Sequence, residues 1–189
     1  DDEPWLPPFF DTLKDLATHQ FPTFCSCFGF QGMVIALGGQ IVRNSPGGEV
    51  GTFSLQLTSQ ANDDALFSEL PQTFLAQEGH KDCATELPSG MVNLASSQRC
   101  EFQAVHIGSG PVYATQFHPE LTGATNRERF MRYFDLYSRV FGRDRAAEMA
   151  EEFEDSPEAS ALLRRFAALV AYSRSRTGSF ISLVSATER

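Results

Sequence analysis

"TFCSCFGFQGM", Thr23–Met33, sets two cysteines one residue apart, then two phenylalanines around Gly29, then a glutamine. Read backwards, "FPTFCSC" is a short apolar run behind a proline, the pattern of a buried strand. Read forwards, "FQGMVIALGG" has helical length and stops at Gly38-Gly39, as a helix C-terminus should. The stretch therefore predicts strand, sharp turn and helix, with Cys27 on the turn. Such a turn lifts a side chain at the carboxyl end of its strand and aims the following amides at an approaching ligand. The helix N-terminus adds positive potential, which predicts a lowered thiol pKa. Gly29 leaves room for the bend.

Upstream, "WLPPFFDTLKDLA" from Trp5 places Phe9, Phe10, Leu13 and Leu16 at helical spacing, with the prolines suited to a first turn. Downstream, "GTFSLQLT" alternates Phe53, Leu55 and Leu57 on one face, as a half-buried strand does. "TFLAQEGH", "MVNLASS", "CEFQAVHIG" and "PVYATQFHP" read as further short strands, separated by "LPSG" and "GSGP" turns. After Pro119 the texture turns helical: "NRERFMRYFDLYSRVFG", "RDRAAEMAEEFED" and "SPEASALLRRFAALVAYSRS", with caps at Gly142 and Ser156. The last dozen residues read as frayed.

At 189 residues the chain suits one domain with a sizeable core. Its 24 acidic against 15 basic side chains give a net charge of −9. Such a surface repels phosphate backbones and anionic lipid, which argues against nucleic-acid or membrane partners. Cys25, Cys27, Cys83 and Cys100 follow no disulfide-scaffold spacing, so they read as reduced thiols of a cytoplasmic protein. A Cys25/Cys27 metal pair lacks a matching second pair, so no metal site is expected. Cys83 and Cys100 read as core thiols, and His19 and His106 as incidental. Phe130, Tyr133, Phe134, Tyr137 and Phe141 share one helical face, for packing or a homodimer contact.

A reactive thiolate needs a base, and the base an orienting acceptor. "QFHPE" supplies His118 and Glu120 at the end of a predicted strand; two apart in an extended segment, they project to the same side. Singly, a cysteine in an apolar run is more often an inert core residue, and a histidine before proline a turn residue. Together on a strand-to-helix turn and a later strand end, they point to nucleophilic chemistry.

"CFGFQ" followed by "ALGGQIV", then "EVGTFSLQLT", "GHKDCATELPSGMVNLASS" and "QFHPE", resembles the class I glutamine amidotransferase domain in order and spacing, from about Trp5 to Leu121. The resemblance implies an α/β, flavodoxin-like three-layer sandwich with a mostly parallel sheet, over residues 1–125. Residues 126–189 would form a small helical C-terminal extension packed on it. It implies Cys27 as nucleophile, His118 as general base and then acid, and Glu120 as its orienting carboxylate. The Phe28 amide would be an oxyanion donor and Gln31 would position the substrate. Glu49, Gly51 and His80, the last with Asp82, would border the glutamine pocket. Cys25 stands where the family usually has glycine, and Phe30 where histidine is common.

The reaction implied is hydrolysis of the γ-carboxamide of glutamine through a cysteinyl thioester, with no cofactor, and with any ammonia-accepting synthetase a separate chain. The alternatives are a γ-glutamyl peptide hydrolase with the same triad, and a catalytically silent scaffold of the fold. The resemblance also implies three preceding strands and a glycine-containing loop that gives a second oxyanion amide. These would end a few residues before Asp1, so the chain is expected to lack N-terminal sequence.

Overall fold

A computed structural model describes residues 3–43 and 48–184. Helix α1 (Leu6–Thr18) carries Pro7 and Pro8 in its first turn, where missing N–H groups leave no helical bond unmade. Strand β1 (Thr23–Ser26) feeds helix α2 (Phe28–Ala36) through Cys27 alone. α2 closes as the glycine pair predicts: Gly38 sits at φ 94°, its N–H donates to Ile35, and the Gly39 N–H donates to Val34. Then come strands β2 (Gln40–Arg43), β3 (Glu49–Leu57), β4 (Thr73–His80), β5 (Asp82–Glu86), β6 (Met91–Ser96), β7 (Ala104–Ile107) and β8 (Val112–Thr115). Helices α3 (Gly123–Arg132), α4 (Phe134–Phe141), α5 (Arg143–Glu151) and α6 (Pro157–Val184) complete the order.

The large sheet runs β1-β8-β7-β6-β3-β4, and β2 pairs with β5 in a separate ribbon. Three layers result because the strands alternate. Along β7 and β8, Val105, Val112 and Ala114 face a core built with Leu13 of α1 and Phe30, Met33 and Val34 of α2. Ala104 and Tyr113 face the opposite core, shared with Phe67, Leu94 and, from α6, Ala159 and Leu162. A third cluster joins Val50 to Phe130, Ala146 and Ala150, and docks α3 and α5 on the start of β3.

The α/β three-layer expectation holds. Parallel pairing, however, is confined among the described residues to β1–β8. The reason is connectivity: parallel neighbours need long crossovers, whereas "GSGP" joins β7 to β8 as a short turn and forces them antiparallel. Other differences are local. "NRERFMRYFDLYSRVFG" divides at Tyr133 into two helices, and α3 starts at a Thr122–Thr125 capping box, earlier than its periodicity indicates. The pairing of β2 with β5 was not legible in either segment. Strand β7 starts at Ala104, four residues later than "CEFQAVHIG" predicts. Helix α6 continues to Val184, past the expected start of fraying; residues 185–189 lie outside the described residues.

Candidate active site

Two parallel neighbours bring the chemistry to one edge. Ser26 of β1 is in register with Thr115 of β8, and the Cys27 N–H extends the ladder by donating to the Thr115 carbonyl at 2.8 Å. Both strands therefore end together, with Cys27 one residue past β1 and His118 three past β8. Cys27 has φ 48° and ψ −100°, a left-handed conformation that a side chain rarely adopts. Its carbonyl accepts the Gln31 N–H as the first bond of α2. This is the expected strained elbow. A Cβ on Gly29 would stand 3.0 Å from the Cys25 Cβ, so the absent side chain at 29 is what admits one at 25. Phe30 is fully buried in the α1/α2 core, where its ring contributes about 1.5–3 kcal/mol by burial.

His118 Nδ1 lies 2.6 Å from Glu120 Oε1. The contact is made by a turn rather than the extended strand the sequence suggests. β8 ends at Thr115, and the Leu121 N–H donates to the His118 carbonyl across Pro119 and Glu120, with proline at its favoured position. The His118 N–H is anchored on the Gln77 carbonyl at 2.8 Å. Burial works to raise the Glu120 pKa, but hydrogen bonds from His118, its own backbone N–H and Ser26 hold it below the ordinary value. Ser26 is the residue before Cys27, so the carboxylate is tied both to the imidazole and to the elbow.

No hydrogen bond joins Cys27 to His118 among the described residues. His118 Nε2, the atom that would take the thiol proton, instead faces the Arg129 guanidinium at 3.0 Å. Because a guanidinium only donates, Nε2 is the acceptor and the ring proton sits on Nδ1, toward Glu120. Arg129 reaches this position across Gly79, where a Cβ would lie 3.0 Å from its Nη1. The Cys27 sulfur accepts from Gln116 Nε2 at 3.6 Å. Burial pushes the thiol up to about 11; Arg129 and the Phe28 amide oppose this, while Glu78 and Glu120 add to it. The expected lowering of the thiol pKa is thus reversed, because loss of solvent outweighs Arg129 and the Phe28 amide.

The residues expected to border the substrate divide into two groups. The Phe28 amide faces the Cys27 sulfur, while its ring is exposed, stacks on Phe9 and meets Trp5 at a tilt. Gln31 Nε2 donates to the Asp82 carbonyl at 3.2 Å and to Gln116 Oε1 at 3.1 Å, so Gln116 bridges Gln31 and the nucleophilic candidate. Glu49 and His80 are buried and bonded to each other at 3.1 Å, away from solvent. Burial alone would lower the His80 pKa, but bonds to Cys83 and Glu49 and the charge of Glu78 push it up to about 10. Gly51, at φ 130°, lines a 260 Å³ cavity with Phe53, Arg99 and Phe141 whose lining contains neither Cys27 nor His118.

Sequence reasoning missed Gln116 and Arg129. Gln116 sits inside the quoted "QFHPE" and carried a signal; Arg129 lies in a segment whose sequence signals only a helix with an aromatic face.

The family described as "Glutamine amidotransferase class-I" matches residues 4–136. One subunit of the glutamine-hydrolysing GMP synthase of Thermoplasma volcanium is 36% identical over 103 residues, covering 54% of this chain and 49% of that one. The subunit of the same description from Pyrococcus abyssi is 32% identical over 122 residues, 65% of this chain and 63% of that one. The glutamine-hydrolysing GMP synthase of Thermosipho africanus is 29% identical over 82% of this chain, which spans 28% of that protein. The chain thus spans less than two thirds of the length of these relatives. Among solved structures, a glutamine amidotransferase from Thermotoga maritima superposes with a TM-score of 0.68 at 24% identity, covering 86% of this chain and 68% of that one. One from Methylobacillus flagellatus does so at 0.65 and 19%, covering 89% and 71%. These likenesses show a shared flavodoxin-like α/β fold. On the family match, which takes in the elbow, the His118–Glu120 turn and the strands that align them, this chain belongs to the class I glutamine amidotransferases.

Proposed function

We propose that the chain is the glutamine-hydrolysing unit of an amidotransferase, cleaving the γ-carboxamide through Cys27 and passing ammonia to a separate synthetase chain. The observation that carries this reading is the strained Cys27 elbow standing beside the His118–Glu120 turn at the shared carboxyl edge of β1 and β8. Cys27 gives its proton to His118 Nε2, and the thiolate adds to the γ-carbonyl carbon. The oxyanion is received by the Phe28 amide, a donor of the kind worth a few kcal/mol. Collapse breaks the C–N bond as the imidazolium returns the proton to nitrogen, so ammonia leaves and a γ-glutamyl thioester remains. Water, deprotonated by the same imidazole, releases glutamate and regenerates the thiol. Glu120 holds the ring with its proton on Nδ1, and Gln31 and Gln116 fix the substrate beside the sulfur. The separate synthetase is suggested by the two relatives that are named as one subunit of a GMP synthase rather than as the whole enzyme.

For that first proton transfer, Arg129 must leave Nε2. Its position favours a second reading, a silent member of the fold that keeps the site closed. Incubation with glutamine and with γ-glutamyl dipeptides, beside Cys27→Ala, tests both. Ammonia and glutamate from glutamine, lost in the variant, support the first reading. Amino-acid release from the dipeptides alone replaces it with a peptide hydrolase, and release from neither leaves the silent one.

A further inference from the structure

Behind the elbow, strand geometry assembles a second group of side chains. Glu49 and His80 are cross-strand partners in β3–β4, and Glu78, two residues before His80, projects to the same face. All three are buried, at 0%, 3% and 0% exposure for Glu49, His80 and Glu78. His80 Nε2 lies 3.1 Å from Glu49 Oε2 and 3.4 Å from Glu78 Oε2. One donor atom from each residue falls within 4.8 Å of the other two.

Around this group Asp82 and Gln103 supply outer partners, while inside it the Glu49–His80 bond leaves three carboxylate oxygens without a donor. His80 Nδ1 is 3.0 Å from the Asp82 carbonyl, to which it donates, so Nε2 is turned toward the carboxylates. Gln103 Nε2 donates to Glu49 Oε2 at 2.6 Å. Yet neither oxygen of Glu78 has a hydrogen-bond donor, nor has Oε1 of Glu49. A fully buried carboxylate with both oxygens unbonded is strongly disfavoured unless something positive or a proton sits against it.

We propose that Glu49, Glu78 and His80 bind one divalent transition-metal ion of the zinc or manganese class. Donor atoms held about 2.0–2.2 Å from such an ion stand about 3.0–3.5 Å apart, the range into which both measured separations fall. Imidazole with carboxylates is a donor set suited to these metals. The Asp82 carbonyl on the far ring nitrogen and the Gln103 amide on the carboxylate are the outer contacts that orient ligating groups. Once the ion displaces the second His80 proton, two carboxylates with a neutral imidazole carry two negative charges, which a divalent ion matches. The competing occupants are protons: an imidazolium neutralises one carboxylate, and Glu78 must then itself be protonated. With the group sealed between strands, the ion enters as β3 and β4 close during folding, so metal binding and folding are linked.

The 189-residue chain, unfolded in chelator and refolded with zinc or manganese chloride, should retain close to one equivalent of metal after gel filtration. Its Tm should rise by about 5–10 °C at a hundredfold excess over Kd. Glu78→Gln, nearly the same shape, should lose at least nine-tenths of the metal with an unchanged circular dichroism spectrum. Retention by the variant, or less than a tenth of an equivalent in the parent with no Tm response to either ion, overturns the proposal. Should the variant fail to fold, X-ray absorption of the zinc-loaded parent decides: an oxygen/nitrogen shell with one imidazole supports the site, and a sulfur shell from the cysteines overturns it.

Discussion

Burial drives the thiols of Cys25 and Cys27 to the same place, about 11, so their difference in chemistry must come from neighbours. Only the Cys27 sulfur has the Phe28 amide and the Arg129 charge acting to favour its thiolate. Alkylation of Cys27 by a neutral haloacetamide should therefore rise with pH toward about 11 in the free chain. Arg129→Met should slow it roughly three- to tenfold at pH 9, because loss of a nearby positive charge leaves less thiolate. A midpoint near that of an ordinary thiol, or faster reaction in the variant, would refute this assignment of neighbours. The positions of Cys27, His118 and Glu120 were legible because a turn residue and a His-x-Glu spacing are local signals. The pKa direction was not, since burial is a property of the whole fold. Arg129 was hidden because its target lies eleven residues back on another element, reached only over Gly79.

At the scale of elements, α2 is held where Gly32 lets it approach α1. A Cβ there would stand 2.6 Å from Phe9 and 2.8 Å from Leu13, both on the opposing helix face. Gly32→Ala therefore makes the Phe9 and Leu13 side chains shift in a filled core despite alanine's better helix propensity, and overpacking of this kind costs about 1–3 kcal/mol. Urea denaturation should show a lower midpoint with an unchanged slope; a variant as stable as the parent would mean that the crossing has room to spare. The helices and most strands were readable from apolar spacing. What periodicity could not carry was pairing: "QIVR" is four residues, too short to alternate convincingly, and its partner "DCATE" lies far along the chain. The division at Tyr133 was equally silent, for the aromatic face continues across it, with Phe130 stacked on Tyr137 at 4.6 Å.

Across the molecule, the opposite core contains a charge pair that no local motif announces. His106 Nδ1 lies 3.1 Å from Asp64 Oδ2, and its ring stacks on Tyr113 at 4.5 Å. The bond to Asp64 raises the His106 pKa, against burial. For Asp64 burial acts upward, but His106 and the Leu66 and Phe67 amides together lower it. A raised histidine stabilises fully below its unfolded value near 6.5 and loses that contribution as pH climbs through the folded value. A lowered aspartate stabilises above about 3.9 and loses its share as pH falls through the folded value. The Tm difference between the parent and His106→Gln should thus be largest between about pH 4 and 6.5 and shrink on either side. A difference independent of pH, or growing above neutrality, would show that the pair is not ionic. Among the described residues no helix is long and apolar enough to cross a membrane, in keeping with the polar, acidic composition.

In the proposed reaction the sulfur on the β1–α2 turn is the group that attacks a glutamine side chain. Treatment with a glutamine analogue bearing an electrophile at the γ position, followed by peptide mass spectrometry, addresses it directly. One adduct on Cys27, with Cys25 unmodified and labelling slowed by excess glutamine, is the expected result. An adduct on Cys25 instead, or none at Cys27 while the folded protein remains intact, would contradict it.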